Sequence, residues 1–175
     1  LVVVAHEPEG LEAFDHVDML SAIDEALQLI HKAKCPLILA GQGAMISGAH
    51  SELKELAETL QCPVTSTLLG KGVFSEEHKL SLGMLGMHGT AYANKAVCDC
   101  DLLINIGSRF DDRIIGQADK FCSGAKIIHI DIDPSEMKKM IVADVEIISD
   151  AKTALLEINK RISVLDTEEW LAKID

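Results

Sequence analysis

Arg109, Asp111, Asp112 and Arg113 form a burst of charge just after the apolar run Leu102-Leu103-Ile104-Asn105-Ile106, and a glycine-rich turn, Gly83 to Gly89, precedes both. That order of residue types suits a nucleotide: glycines let backbone approach a ligand, and a buried strand aims the loop after it at the site. Two guanidinium groups can hold phosphates while the aspartates orient them or accept from adenine or ribose; the alternative is a solvated ion-pair cluster, which contributes little. Asp131 and Asp133 close a second apolar run, Lys126 to Ile130, where carboxylates can accept hydrogen bonds from ribose hydroxyls. For Asp131 that role and a plain strand end weigh equally, and for Asp133, followed by Pro134, a cap or solvated end weighs more.

His88 sits between glycines and reads as packing against a ligand or bonding locally, whereas His129, inside an apolar run, reads as structural. The turn Gly41-Gln42-Gly43-Ala44-Met45-Ile46 matches two glycines of the dinucleotide fingerprint but has Ile46 at the third. No acid ends the next strand, where Thr65 to Thr67 stand, so an NAD site of the usual kind is disfavoured. No residue is assigned as a catalytic acid, base or nucleophile, and no metal-ligand set is assigned.

Composition narrows the classes. With 48% hydrophobic and 25% charged residues the chain reads as globular, and its formal net charge of −12 disfavours nucleic acid. No apolar run approaches the ~20 residues of a membrane helix. The odd set Cys35, Cys62, Cys98, Cys100 and Cys122 lacks zinc spacing and suits a reducing compartment, cytoplasmic or organelle matrix. Cys98 and Cys100, at the end of an expected helix, read as packing residues rather than a redox pair. The start, Leu1-Val2-Val3-Val4-Ala5, has neither Met nor a signal-peptide pattern. It points to a piece of a longer protein, with 1–16 as a linker or trailing segment, 17–163 as a nucleotide-binding domain and 164–175 as a C-terminal linker or short helix.

The elements that must position these groups follow from periodicity. Leu20, Ile23, Leu27 and Ile30 predict a helix from Asp18 to about Lys34; Leu53, Leu56 and Leu60 predict a second over Ser51 to Gln61. The short, wholly apolar run Leu37–Ala40 reads as a central parallel strand, Val64–Thr67 is β-prone, and Leu102–Ile106, Lys126–Ile130 and Val145–Ile148 read as further strands of the sheet. Helices are expected at Gly89–Val97 and Lys152–Ile162, and Gly70 to Met87 as a long functional loop. Alternation of this kind predicts an α/β fold, a doubly wound Rossmann-like parallel sheet of about five or six strands with helices on both faces. Gly41–Gly43, Thr67, Gly107–Arg109, Asp131 and Asp150 then share the carboxyl edge of the sheet, where such folds bind ligands.

Three motifs in order, Leu85-Gly86-Met87-His88-Gly89-Thr90-Ala91-Tyr92-Ala93-Asn94, Gly107-Ser108-Arg109-Phe110-Asp111-Asp112-Arg113 and His129-Ile130-Asp131-Ile132-Asp133-Pro134, resemble the central domain of acetolactate synthase, over roughly Pro36 to Ile162. The resemblance implies an FAD held in an extended pose with no part in net redox chemistry. Its contacts would be Gly41, Gln42, Gly43, Thr67, Leu68, Leu85, Gly86, Met87, His88, Gly107, Ser108, Arg109, Asp111, Arg113, Asp131, Ile132 and Asp150. The chain departs from the family at Ser149 and over Met137 to Val142. The resemblance further implies a thiamine diphosphate-dependent, Mg2+-requiring enzyme that condenses 2-keto acids in branched-chain amino-acid biosynthesis. Its thiamine and metal sites would lie in neighbouring domains of the same polypeptide, since no Gly-Asp-Gly occurs here. A homo-oligomer, with a regulatory subunit as a further partner, and an inactive isolated chain follow from it. The alternatives are an NAD-dependent oxidoreductase domain and a ligand-free assembly scaffold.

Overall fold

The structure is a computed structural model that describes residues 16–111 and 121–174. In chain order its elements are α1 (His16–Lys32), β1 (Pro36–Ala40), α2 (Gln42–Ile46), α3 (His50–Leu60), β2 (Val64–Ser66), β3 (Ser81–Met84), α4 (Ala91–Asp99), β4 (Leu102–Ile106), β5 (Lys126–Asp131), β6 (Val145–Ile148), α5 (Ala151–Asn159) and α6 (Glu168–Ile174). Short 3₁₀ turns occupy Leu68–Gly70 and Pro134–Glu136.

The six strands form one parallel sheet in the order β3-β2-β1-β4-β5-β6. Every residue of β1 and β4 is buried, which explains their apolar character, broken only by Asn105 in β4: a central parallel strand is covered on both faces. Successive side chains point to opposite faces. Ile38, Ala40, Ile104, Ile106, Ile128 and Ile130 pack under α1, α3 and α5, while Leu37, Leu39, Leu103 and Ile127 pack under α4 and α6. The helices thus lie on both faces, as the alternation of elements predicts.

Capping residues fix the helix starts. Thr90 accepts from Ala93 N to open α4, and Asp150 accepts from Thr153 N to open α5, each satisfying a backbone donor that the first turn leaves over. At the amino edge Asp101 ties β4 to β1, its two carboxylate oxygens accepting from the N–H groups of Lys34 and Cys35.

Two expectations need revision. Gly70 to Met87 is not a continuous loop, because Ser81–Met84 adds β3 at the sheet edge, half-buried throughout. Of the two cysteines taken as packing residues, Cys100 is buried but Cys98 is exposed. Of the two alternatives for the C-terminal segment, residues 168–174 take the short helix, and Trp170 is 2% exposed with its Nε1 donating to the Pro36 carbonyl at 2.9 Å. Thr167 Oγ1 donating to the Gln61 carbonyl and Lys173 Nζ lying 3.1 Å from Asp99 hold the same segment against the body. Arg113 and Asp112 lie outside the described residues.

Trp170→Ala removes a large buried side chain and is expected to cost about 3–5 kcal/mol in urea unfolding. Trp170→Phe, which loses mainly the hydrogen bond, should cost about 1–2 kcal/mol.

Candidate ligand cleft

In this strand order the chain reverses direction of winding between β1 and β4, the topological switch point at which open α/β sheets bind ligands. There the turns after β1 and β4 press together with no side chain between them. Gly41 N donates to the Ile106 carbonyl at 2.9 Å, Gly43 N to the Gly107 carbonyl at 2.8 Å, and Gly107 N to the Ile130 carbonyl at 2.8 Å. A Cβ on Gly41 would land on the Gly107 carbonyl oxygen and the Ser108 backbone, and one on Gly43 would sit 2.8 Å from Gly107 Cα. Gly107 has φ +62°, a conformation that glycine adopts without penalty. Gly41 and Gly43 therefore set the separation of the two turns.

Above this junction lies an open cleft of about 400 Å3 lined by Gln42, Gly43, Thr67, Leu68, Leu69, Gly107, Ser108, Arg109, Asp111, Asp131, Asp133 and Glu136. Thr67 is buried and serves the backbone, its hydroxyl accepting from Gly70 N and its own N–H donating to the Ala40 carbonyl. That holds Leu68 and Leu69 in the open, 69% and 62% exposed, as an apolar lip. Asn105, fully buried in β4, donates from Nδ2 to the Ser108 carbonyl and so fixes the opposite wall. Arg109 projects into solvent, its Nη2 3.8 Å from Asp111 Oδ2, a spacing that leaves the guanidinium well placed for an anionic ligand.

The third wall is acidic. Asp131 accepts from Asp133 N, and Asp133 caps the following turn by accepting from Ser135 N at 2.8 Å. Hydrogen bonds from the Ser135 side chain and backbone hold the Asp133 carboxyl below its usual range, so it is ionised at neutral pH. Glu136 is paired with Lys139 at 3.1 Å. His129 lies beneath, 1% exposed in β5, with its ring against Phe110 and Nε2 3.8 Å from Asp131 Oδ2. Its interior position matches the structural reading of this residue.

The structure thus brings Gln42, Gly43, Thr67, Leu68, Gly107, Ser108, Arg109, Asp111 and Asp131 to one cleft, with Gly41 packed beneath. Leu85 to His88 stand apart on the loop that leaves β3. Asn94 clamps that loop through both amide atoms, accepting from Gly86 N and donating to the Gly86 carbonyl, and Met87 is left 81% exposed. Ile132 is 53% exposed beyond β5. Asp150 is engaged as the α5 cap and accepts from Ser47 Oγ. Sequence reasoning did not select Leu69 or Glu136 as ligand contacts, and gave Asp133 mainly a capping role. Of these only Asp133 carried a signal, the Asp-Pro start of a short helix.

A larger cavity, about 500 Å3, lies beside the first residues of β3 and is lined by Pro63, Lys79, Leu80, Tyr92 and Ile174 among others. It lies toward the amino ends of β2 and β3, away from the carboxyl edge where this fold binds ligands, and it draws in none of the motif residues except Tyr92.

Residues 23–158 match the family model described as thiamine pyrophosphate enzyme, central domain. The chain is 52% identical over 155 residues to an acetolactate synthase of Arthrospira platensis, and 51% identical over 155 residues to a probable acetolactate synthase large subunit of Methanocaldococcus jannaschii. Each alignment takes in 87% of this chain and 26% of the relative. It is also 51% identical over 138 residues to the acetolactate synthase large subunit of Porphyra purpurea, covering 77% of this chain and 23% of the relative. The chain therefore spans about a quarter of the length of these relatives.

Gly41→Ala is expected to lower stability by about 1–3 kcal/mol or more, because the added methyl meets backbone that cannot rotate away. Gly48→Ala, where nothing lies within 4 Å but φ is +67°, should cost only about 1–2 kcal/mol of backbone strain. Urea melts of the two variants compare them directly.

Proposed function

This chain belongs to the thiamine pyrophosphate enzyme central-domain family, and from that premise we propose that it is the FAD-binding middle domain of an acetolactate synthase large subunit. The observation that carries the reading is positional. The Leu85–His88 loop, the Gly41–Gly43 and Gly107–Arg109 turns and the Asp131 strand end all follow strands of one parallel sheet, at the carboxyl edge from β3 to β5. That edge covers four inter-strand spacings, about 19 Å, and suits an elongated dinucleotide better than a compact ligand.

The residues present fit the group. Arg109 supplies positive charge for the pyrophosphate, and the bare backbone of Gly43 and Gly107 lets it approach closely. Asp131 and Asp133, both acceptors, suit ribose hydroxyls, while exposed Leu68 and Met87 offer apolar surface to the ring system. The cleft alone is too small for a whole dinucleotide, which is why the β3 loop, with Gly86 and His88, belongs to the site. Arg113, Ile132 and Asp150 remain in the proposed contact set at its margin.

In this reading the domain's own residues bind and orient the flavin, and the proton transfers of the keto-acid reaction would fall to neighbouring domains. When bound, FAD would serve as a structural group rather than a net redox carrier. In the complete polypeptide, neighbouring domains would contribute thiamine diphosphate and Mg2+ for the condensation of 2-keto acids in branched-chain amino-acid biosynthesis. The complete protein would act as a homo-oligomer, with a regulatory subunit as a further partner, in the cytoplasm or an organelle matrix. The isolated chain is expected to be inactive. Among the described residues no helix is long and apolar enough to cross a membrane.

Titration of the chain with FAD is expected to quench flavin fluorescence and raise the melting temperature, since a ligand that binds only the folded state must stabilise it. Arg109→Ala and Asp131→Ala should each weaken FAD binding by about 10-fold or more, the loss of a charge-assisted hydrogen bond. Stabilisation by NAD but not FAD would overturn the reading.

A further inference from the structure

The core beneath α4 holds two thiols for which the ligand cleft has no use. Cys100 closes α4 and Cys122 follows Phe121; they are 5% and 3% exposed, and their sulfurs lie 4.0 Å apart. Both donate to one acceptor, the Val97 carbonyl, each at 3.3 Å. A shared acceptor keeps the two sulfurs side by side among Leu103, Phe121 and Ile127. Cys122 also has φ +50°, a left-handed conformation that costs a non-glycine residue and that surrounding structure must impose. Phe110, a core residue between Arg109 and Asp111 in sequence, and Phe121, beside Cys122, meet edge to face at 6.0 Å. Of the remaining cysteines, Cys98 is exposed, Cys62 is buried under the opposite face of the sheet, and Cys35, half-buried, packs against the edge of the same cluster.

We propose that Cys100 and Cys122 are a latent disulfide site, which an organic disulfide converts to an intramolecular cross-link. A disulfide needs a sulfur separation of about 2.05 Å, so the two sulfurs must close by about 2 Å, a local adjustment for side chains already in contact. One thiol loses its proton and attacks the oxidant RSSR; the S–S bond breaks and RS− leaves with the electron pair. The second protein thiolate then displaces the other RS− from the mixed disulfide. Two protein thiols lose two electrons and two protons, and the oxidant becomes two RSH. Contact with Cys122 and burial push the Cys100 thiol far above its ordinary range, so the reaction is slow and proceeds through local opening, after exposed Cys98 has reacted. The loop that the bond closes contains β4 and the Gly107–Asp111 wall of the cleft, so the cross-link constrains that wall, and by restricting the unfolded chain it stabilises the fold.

The test exposes the full chain to 2,2′-dithiodipyridine, which is small and uncharged, a few degrees below its melting temperature. Thiopyridone release is followed, then peptide mass mapping and thermal melting. The expected result is a slow phase that follows Cys98 modification, a Cys100–Cys122 linked peptide lighter by two hydrogens than its free components, and a raised melting temperature. Cys122→Ser and Cys100→Ser should each lose the linked peptide and the rise. The mapping is made on the unsubstituted chain, so it stands even where a variant folds poorly. Full conversion of Cys98 with Cys100 and Cys122 both alkylated as free thiols after denaturation, or carrying separate thiopyridyl adducts, would overturn the proposal.

Discussion

The architecture of the cleft depends on the bare contact between two backbone turns, Gly41–Gly43 after β1 and Gly107 after β4. Backbone hydrogen bonds from Gly41 to Ile106, Gly43 to Gly107 and Gly107 to Ile130 extend the parallel ladder past the ends of three strands. They fix the height of the cleft floor against the core below. Any side chain at Gly41 would separate β1 from β4 at the switch point, and with them the walls that carry Thr67, Ser108 and Asp131. The cleft surface is thus a by-product of how closely the two halves of the sheet can approach.

The buried strands were legible because burial on both faces leaves little room for polar alternation: β1 reads as a continuous apolar run, β4 and β5 as apolar runs broken only by Asn105 and His129 in their interiors, and α1 and α3 as regular helical stripes. β3 was not. It is a short, half-buried edge strand, Ser-Leu-Gly-Met, without β-branched residues and with a glycine inside it, so local preference argues against a strand. Its pairing with β2, with Val64 opposite Ser81 and Ser66 opposite Met84, is what makes it one. The terminal helix was ambiguous for a related reason. Seven residues with mixed charge carry little helical signal, and the anchoring of Trp170 against the Pro36 carbonyl is a contact across the whole chain.

The cleft was partly legible by the same logic. Residues just after a buried strand must lie at the carboxyl edge, which places Gly43, Gly107, Arg109 and Asp131 without knowledge of their contacts. Leu69 and Glu136 escaped because short 3₁₀ turns carry them, and where such turns aim their side chains depends on tertiary packing. Asp150 shows the opposite case: it too follows a strand, yet its carboxylate caps α5 and bonds to Ser47. A strand-end carboxylate can serve either backbone or ligand, and the sequence around Asp131 and Asp150 does not separate the two.

Amide chemical-shift mapping of the chain on addition of FAD tests most directly whether the carboxyl edge from β3 to β5 is one continuous flavin seat. The account predicts shifts at Gly43, at Gly107 to Asp111, at Asp131 to Asp133 and on the Leu85 to His88 loop, all saturating together. Shifts confined to the cavity of Pro63, Lys79 and Ile174, with the glycine turns unmoved, would contradict it.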